Sequence, residues 1–153
     1  KHTKAKRMFE IGTFDGRTTL HLALNSEADA RIFTLDLPQS LVSSTSINKP
    51  QSGEKFRGLD LEHKIEQLLG DSATFDFSPF YQKMDLIFID GSHHYEHVKI
   101  DSENAFKMLK TGGVIIWHDY TFLHKGVTKA LDELSCKKPL YLIKDSSLVI
   151  FIG

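Results

Sequence analysis

Apolar positions in this chain fall into short, nearly continuous runs separated by turn residues and by stretches with helical spacing. Five runs end on or near an acid: Met8-Phe9-Glu10-Ile11-Gly12, Arg31-Ile32-Phe33-Thr34-Leu35-Asp36, Ile65 through Asp71, Met84-Asp85-Leu86-Ile87-Phe88-Ile89-Asp90, and Val114-Ile115-Ile116-Trp117-His118-Asp119. Runs of this length and richness in Ile, Val and Phe predict strands buried on both faces. Between them, Leu20, Ala23 and Leu24 share one helical face, and so do Val98, Ser102, Ala105, Phe106 and Leu109. Val127, Ala130, Leu131 and Leu134 do the same in a last helix from Gly126 to Leu134. Alternating strands and helices predict an α/β domain with a parallel sheet. The acids would then gather along the carboxyl edge of that sheet, where open α/β folds bind ligands. A carboxylate there is costly unless it meets a hydroxyl, an amine or a metal.

Some segments are less regular. Leu59 to Leu69 fits helical spacing in part, yet Gly70-Asp71 ends it as a strand would end, so a strand is expected at Ile65–Leu69. Thr111-Gly112-Gly113 is expected to close the helix that starts at Tyr95. Pro38 to Gly58 is polar, and such a length is unusual for a structureless loop. It is expected to be a short crossover helix, a lid or a mobile segment. At the end, Leu140–Ile143 and Leu148–Ile152 flank four polar residues and read as a hairpin, so one strand should run antiparallel.

Composition narrows the class. The 153 residues are enough for one domain, 1–153, with its own core. A net charge of −1 gives no reason to expect nucleic acid as the main partner. The basic start, Lys1 to Arg7, reads as a solvated lead-in. No apolar stretch approaches the ~18 residues of a membrane span. The single cysteine, Cys136, excludes an internal disulfide and fits a reducing, cytoplasmic setting. The chain opens without Met, almost directly into a strand, so it is expected to lack N-terminal elements of a longer protein. Its expected protein partners are a second copy or those missing parts.

The first loop carries the most chemical information. Glu10-Ile11-Gly12-Thr13-Phe14-Asp15-Gly16-Arg17-Thr18 links a strand to a helix start, which forms a cradle of backbone N–H groups. A dinucleotide site would read G-x-G-x-x-G. Here Phe14 takes the second glycine's place and Arg17 the third's, so a pyrophosphate would approach poorly. Glu10 would repel phosphate and attract a cation. Asp36, at the end of the second run, can accept two ribose hydroxyls. Asp71-Ser72 can hold an adenine amino group or cap the turn that follows.

Taken in order, E-I-G-T-F-D-G-R-T-T, T-L-D, G-D-S, D-L-I-F-I-D-G-S-H-H-Y and G-G-V-I-I-W-H-D-Y resemble the class I S-adenosylmethionine-dependent methyltransferases over nearly the whole chain. Within that class the chain looks like a small bacterial group with a D-G-x-H-x-Y motif, and it is more distantly similar to catechol-type O-methyltransferases. The resemblance implies a three-layer, Rossmann-like α/β fold with a mostly parallel seven-stranded sheet, order 3-2-1-4-5-7-6, and one antiparallel strand near the C-terminus. It implies that Glu10 and Gly12 face the amino-acid part of S-adenosylmethionine, and that Phe14, Gly16 and Thr18 shape the loop around it. Asp36 would take the ribose, Asp71 and Ser72 the adenine, and Asp90 would lie close to the sulfonium.

The same resemblance places Asp90 and Asp119 where catechol-type enzymes hold a divalent ion such as Mg2+. Tyr120 stands where those enzymes carry an Asn, and His118 is a substitute ligand that would favour a softer metal. His93 sits three residues past Asp90, at the position of a base that deprotonates the acceptor. The expected reaction is methyl transfer to a small-molecule or sugar-like acceptor, at oxygen. Two rival readings remain open from the residues alone. One is a metal-dependent hydroxylase-like or hydrolase domain using Asp90, His93, His118 and Asp119; the other is a nucleoside-binding module without catalysis. His93 and His97 share a spacing that binds zinc on helices, without a third ligand in sequence. Trp117 and Tyr120 can line an acceptor pocket, Trp117 reading more readily as core.

Overall fold

The computed structural model describes residues 4–38 and 51–153. Its seven strands are β1 (Arg7–Ile11), β2 (Arg31–Asp36), β3 (Ile65–Leu69), β4 (Met84–Ile89), β5 (Leu109–Trp117), β6 (Tyr141–Leu142) and β7 (Val149–Ile152). They form one sheet in the order β3-β2-β1-β4-β5-β7-β6. β1 through β5 pair in parallel, and β7 runs antiparallel to both of its neighbours. The expected order and the closing antiparallel strand are both present.

Among the described residues, the α-helices α1 (Arg17–Leu24), α2 (Tyr95–Met108) and α3 (Lys125–Ser135) flank the sheet. Strand alternation divides the core in two. Phe9, Ile11, Phe33, Leu35, Ile87, Ile89, Ile115 and Trp117 face α2 and α3, which contribute Val98, Ala105, Met108, Val127, Ala130 and Leu131. Met8, Ile32, Leu86 and Phe88 face the other way, toward Ala23 of α1. Trp117 is fully buried, and its indole N–H donates to Ser102 Oγ at 2.9 Å, so it belongs to the core. No helix among the described residues is long and apolar enough to cross a membrane.

Several local expectations are corrected. Leu24 is 57% exposed, because α1 turns Thr19 and Ala23 inward and so rotates Leu24 to the surface. The glycine pair does not close α2. The helix ends at Met108, Leu109 already pairs with Met84, and Gly112 at φ +78° lies in a register shift within β5. The basic start is not simply a solvated lead-in. Ala5 is buried, and the backbone N–H groups of Lys6 and Arg7 both donate to Asp85 Oδ2 at 2.8 Å, which pins the start of β1 to β4.

Much of the 38–58 loop, residues 39–50, lies outside the described residues, so the crossover, lid and mobile readings fall there. The described part, 51–58, is a set of turns that clasps the first loop. Gly53 N–H donates to Phe14 O, Lys55 N–H donates to Asp15 O, and buried Phe56 packs where a Cβ on Gly16 would sit.

Candidate active site

All five acid-ended strands point toward one edge of the sheet, and a cleft of about 480 Å³ opens there. Its lining includes Gly12, Phe14, Asp36, Asp71, Ser72, Asp90, His93, His97, His118 and Asp119. Most residues expected at a site are therefore brought together. Three are not in the lining: Glu10, which is buried, Gly16, which packs against Phe56, and Thr18. Tyr120 faces away, with its hydroxyl donating to Asp132 of α3 at 2.7 Å.

The first loop is held by its neighbours on both sides. Gly12 N–H donates to Leu35 O at 2.8 Å, and Asp90 N–H donates to Ile11 O at 2.9 Å. Gly12 adopts φ +101°, and a Cβ on it would lie 2.1 Å from the Asp90 carbonyl oxygen. Only glycine fits a backbone so close to another backbone at positive φ. Asp36 holds the loop from the second strand: its Oδ2 accepts from Phe14 N–H at 3.1 Å and from Ser52 Oγ at 2.8 Å, and its Oδ1 from Leu37 N–H at 2.9 Å. Asp71 caps the turn after β3, accepting from Ala73 N–H at 2.9 Å, while Ser72 lines the cleft beside it.

Glu10 is only 1% exposed. Its Oε2 accepts from the hydroxyls of Thr19 and Thr34, and the Thr34 bond is 2.6 Å long. Because Thr34 spends its proton on Glu10, Thr13 donates to Thr34, at 2.7 Å. Burial pushes the Glu10 carboxyl up to about 7, against the two hydroxyls that favour its charged form. Folding therefore raises its pKa from 4.5, so the stability it contributes is complete below that value and is lost as pH rises through about 7. At about 1.4 kcal/mol per unit the swing is roughly 3 kcal/mol. Glu10→Gln is expected to flatten the fall in stability between about pH 5 and pH 8 and to be more stable than the parent at pH 8. Denaturant melts across that range would show it; parallel curves for the two proteins would contradict it.

The other end of the cleft is rich in imidazoles and carboxylates. Asp90 is held above the usual carboxylate range by burial and by Asp119, against the opposing pull of His118 and His93. Asp119 is at φ +60°, at the point where β5 runs out into the loop. His93 Nε2 lies 2.8 Å from Asp119 Oδ2. His118 Nδ1 lies 3.0 Å from Asp119 Oδ1 and 3.4 Å from Asp90 Oδ1. That nitrogen is buried, and neither approach is aligned as a hydrogen bond. His94 is the N-cap residue of α2, whereas His97 lies inside the helix and lines the cleft. His93 and His97 thus do not share a helical face.

Sequence reasoning missed the threonines around Glu10. Thr34 is the register partner of Glu10, and a hydroxyl inside the apolar β2 run was the available signal. It also missed Asp101 of α2, which is fully buried behind Gly91 and Ser72. Burial pushes this carboxyl up to about 6, against the Ser72 hydroxyl and His97.

Comparison with known proteins adds the lineage. The profile of a family described as a methyltransferase domain matches residues 9–120. An uncharacterised protein of Acanthamoeba polyphaga mimivirus is 29% identical over 114 residues, which cover 72% of this chain and 50% of the relative. The chain thus spans about half the length of that curated relative. Among solved structures, the O-methyltransferase TomG of Streptomyces achromogenes, crystallised with SAM, superposes with a TM-score of 0.73 at 18% identity, covering 98% of this chain and 74% of that one. An O-methyltransferase of Bacillus cereus in complex with SAH gives 0.73 at 18% identity, over 98% of this chain and 75% of that one. At such identities these two structures speak for the fold.

Proposed function

This chain belongs to the methyltransferase domain family, and from that premise we propose that it transfers a methyl group from S-adenosylmethionine to a hydroxyl oxygen of a small-molecule or sugar-like acceptor. The observation that carries this reading is the charge of the cleft. Asp36, Asp71 and Asp90 follow one another along it, and its described lining contains no lysine or arginine. Such a surface suits the sulfonium and ammonium of the cofactor and repels a pyrophosphate.

In this reading Asp36 accepts from the ribose hydroxyls, Asp71 and Ser72 hold the adenine, and Gly12 and Phe14 border the amino-acid end. Glu10 acts from beneath, through Thr19 and Thr34, and Gly16 and Thr18 fix the loop from behind. Asp90 stands nearest the sulfonium. An acceptor oxygen attacks the methyl carbon in line as the carbon–sulfur bond breaks, leaving S-adenosylhomocysteine. The acceptor's proton passes to His93. Asp119 Oδ2 lies 2.8 Å from His93 Nε2; in this reading the carboxylate favours a proton on that nitrogen and leaves Nδ1 as the basic one. Positioning supplies much of the acceleration, since the sulfonium is already a good leaving group.

A divalent metal fits beside this base. The orphaned His118 Nδ1 between two carboxylates is a donor set that a cation would complete, so Asp90, His118 and Asp119 are the residues that would hold it. When bound, such an ion polarises the acceptor oxygen. Cys136 is a free, exposed thiol, in keeping with a reducing, cytoplasmic setting.

Methyl-labelled S-adenosylmethionine offered with a panel of catechols, phenols and sugars tests the reaction. Transfer is expected, and His93→Gln is expected to slow it by about a hundredfold or more. Equal rates in the two proteins would remove His93 as the base. Turnover that needs no S-adenosylmethionine but stops with a chelator would replace the proposal with a metal-dependent one.

A further inference from the structure

Asp119 has two faces, and the reaction above uses them unevenly. Its Oδ1 looks toward His118 and Asp90. Its Oδ2 looks toward His93 Nε2 at 2.8 Å and His124 Nε2 at 3.8 Å. The His93 and His124 rings lie with centroids 4.0 Å apart, tilted by 40°. One ligand atom from each of these three residues falls within 4.8 Å of the others.

This meeting depends on a glycine. His124 precedes α3 and His93 precedes α2, so the two imidazoles are brought together only where the helix starts converge. At that point a Cβ on Gly126 would lie 2.2 Å from the His93 carbonyl oxygen. Gly126 lets the first turn of α3 press against the His93 backbone, and His124 arrives beside His93. The His124 side chain does not cap α3; its backbone carbonyl accepts from Thr128 N–H at 3.1 Å, which fixes the main chain from which the ring projects.

We propose that His93, His124 and Asp119 Oδ2 form a binding position for a borderline transition ion of the Zn2+ kind, separate from the Asp90–His118 position and joined to it by the shared Asp119 carboxylate. Two imidazoles and one carboxylate are a donor set that favours Zn2+, Co2+ or Ni2+ over Mg2+. Bonds of ~2.0–2.1 Å to a tetrahedral ion place ligand atoms roughly 3.3 Å apart, and the separations of 2.8 and 3.8 Å lie on either side of that spacing. The His93–Asp119 approach is not aligned as a hydrogen bond and His124 lies beyond hydrogen-bonding distance, whereas a cation engages all three. The ion also changes what His93 can do. A cation on Nε2 obliges the neutral ring to carry its proton on Nδ1, so that nitrogen can no longer accept one from an acceptor. Zinc at this position is therefore expected to silence the base rather than to assist it.

Titration of the metal-free chain with Co2+, read by its visible absorption, tests the assignment without cofactor or acceptor. The first equivalent of Co2+ is expected at this position, displaced by Zn2+. His124→Gln and His93→Gln should each weaken Co2+ binding at least about tenfold, while His118→Gln stays within about threefold of the parent. Unchanged melting of metal-free His124→Gln, with His124→Ala as a second variant, would show that the loss is not misfolding. Binding that is indifferent to His124→Gln, or that falls as far in His118→Gln, would overturn the proposal, as would the absence of any Co2+ absorption. Failure on any of these counts leaves the methyl-transfer reading standing. A chain that binds Co2+ as expected but fails to bind S-adenosylhomocysteine would fault only that reading.

Discussion

Gly12→Ala is expected to leave little folded protein. A Cβ at this position would lie 2.1 Å from the Asp90 carbonyl oxygen and 2.9 Å from Gly91 Cα, and these are backbone atoms that cannot rotate away. The residue also sits at φ +101°, outside the left-handed region that other residues reach at a cost of about 1–2 kcal/mol. Relief requires moving the loop off β4 and breaking the Gly12–Leu35 and Asp90–Ile11 hydrogen bonds that thread it between β2 and β4. Strain and lost bonds together come to about 4 kcal/mol or more, a large part of the ~5–15 kcal/mol that holds a domain folded. Thermal or denaturant melts of purified protein would check this. A variant that melts within a few degrees of the parent would show that the loop has room the structure does not give it.

Asp36→Ala is expected to lower affinity for S-adenosylhomocysteine about a hundredfold, since the proposed ribose contact would lose two charge-assisted hydrogen bonds at about 1.5 kcal/mol each. Part of the loss is indirect. Asp36 also holds Phe14 N–H and Ser52 Oγ, so its removal loosens the first loop as well as the proposed ribose contact. Asp36→Asn separates the two effects. The amide oxygen can still accept from Phe14 N–H while the charge is gone, so Asp36→Asn should fall between the parent and Asp36→Ala. Calorimetric titration of the three proteins measures this series. Equal affinity across it would take Asp36 out of the ligand's reach.

How far the sequence could anticipate these features depended on whether their cause was local. β1, β2, β4 and β5 announced themselves, because a strand buried on both faces must be apolar throughout. β3 is harder: as an edge strand it is partly exposed and its alternation is weak, so its place at Ile65–Leu69 rests on the Gly70-Asp71 ending and on the sheet's need for a further strand. Thr18 and Thr19 could not be told apart by motif. The rotation of α1 decides, turning Thr19 inward onto Glu10. The motif's neighbours predict Tyr120 near an acceptor. In the fold the chain turns at Asp119, in the left-handed region, and the Tyr120 hydroxyl is sent to Asp132. Glycine often follows a helix end, so the sequence predicts one at Gly112, but in the fold Gly112 serves a register shift inside β5. His124 gave no signal, since its relation to His93 rests on the close approach at Gly126 and not on spacing along the chain. The acids were legible as a group for a simpler reason: strand ends of a parallel sheet share one edge, so five acid-ended runs had to meet.

Asp36, Asp71 and Asp90, which share that edge, are the residues proposed to line a site for a cationic nucleoside cofactor. Calorimetric titration of the parent chain with S-adenosylhomocysteine is the direct measurement. One molecule is expected per chain, with a dissociation constant of micromolar order. A chain that is folded by its own melting curve, yet shows no binding at about millimolar ligand, would contradict the claim.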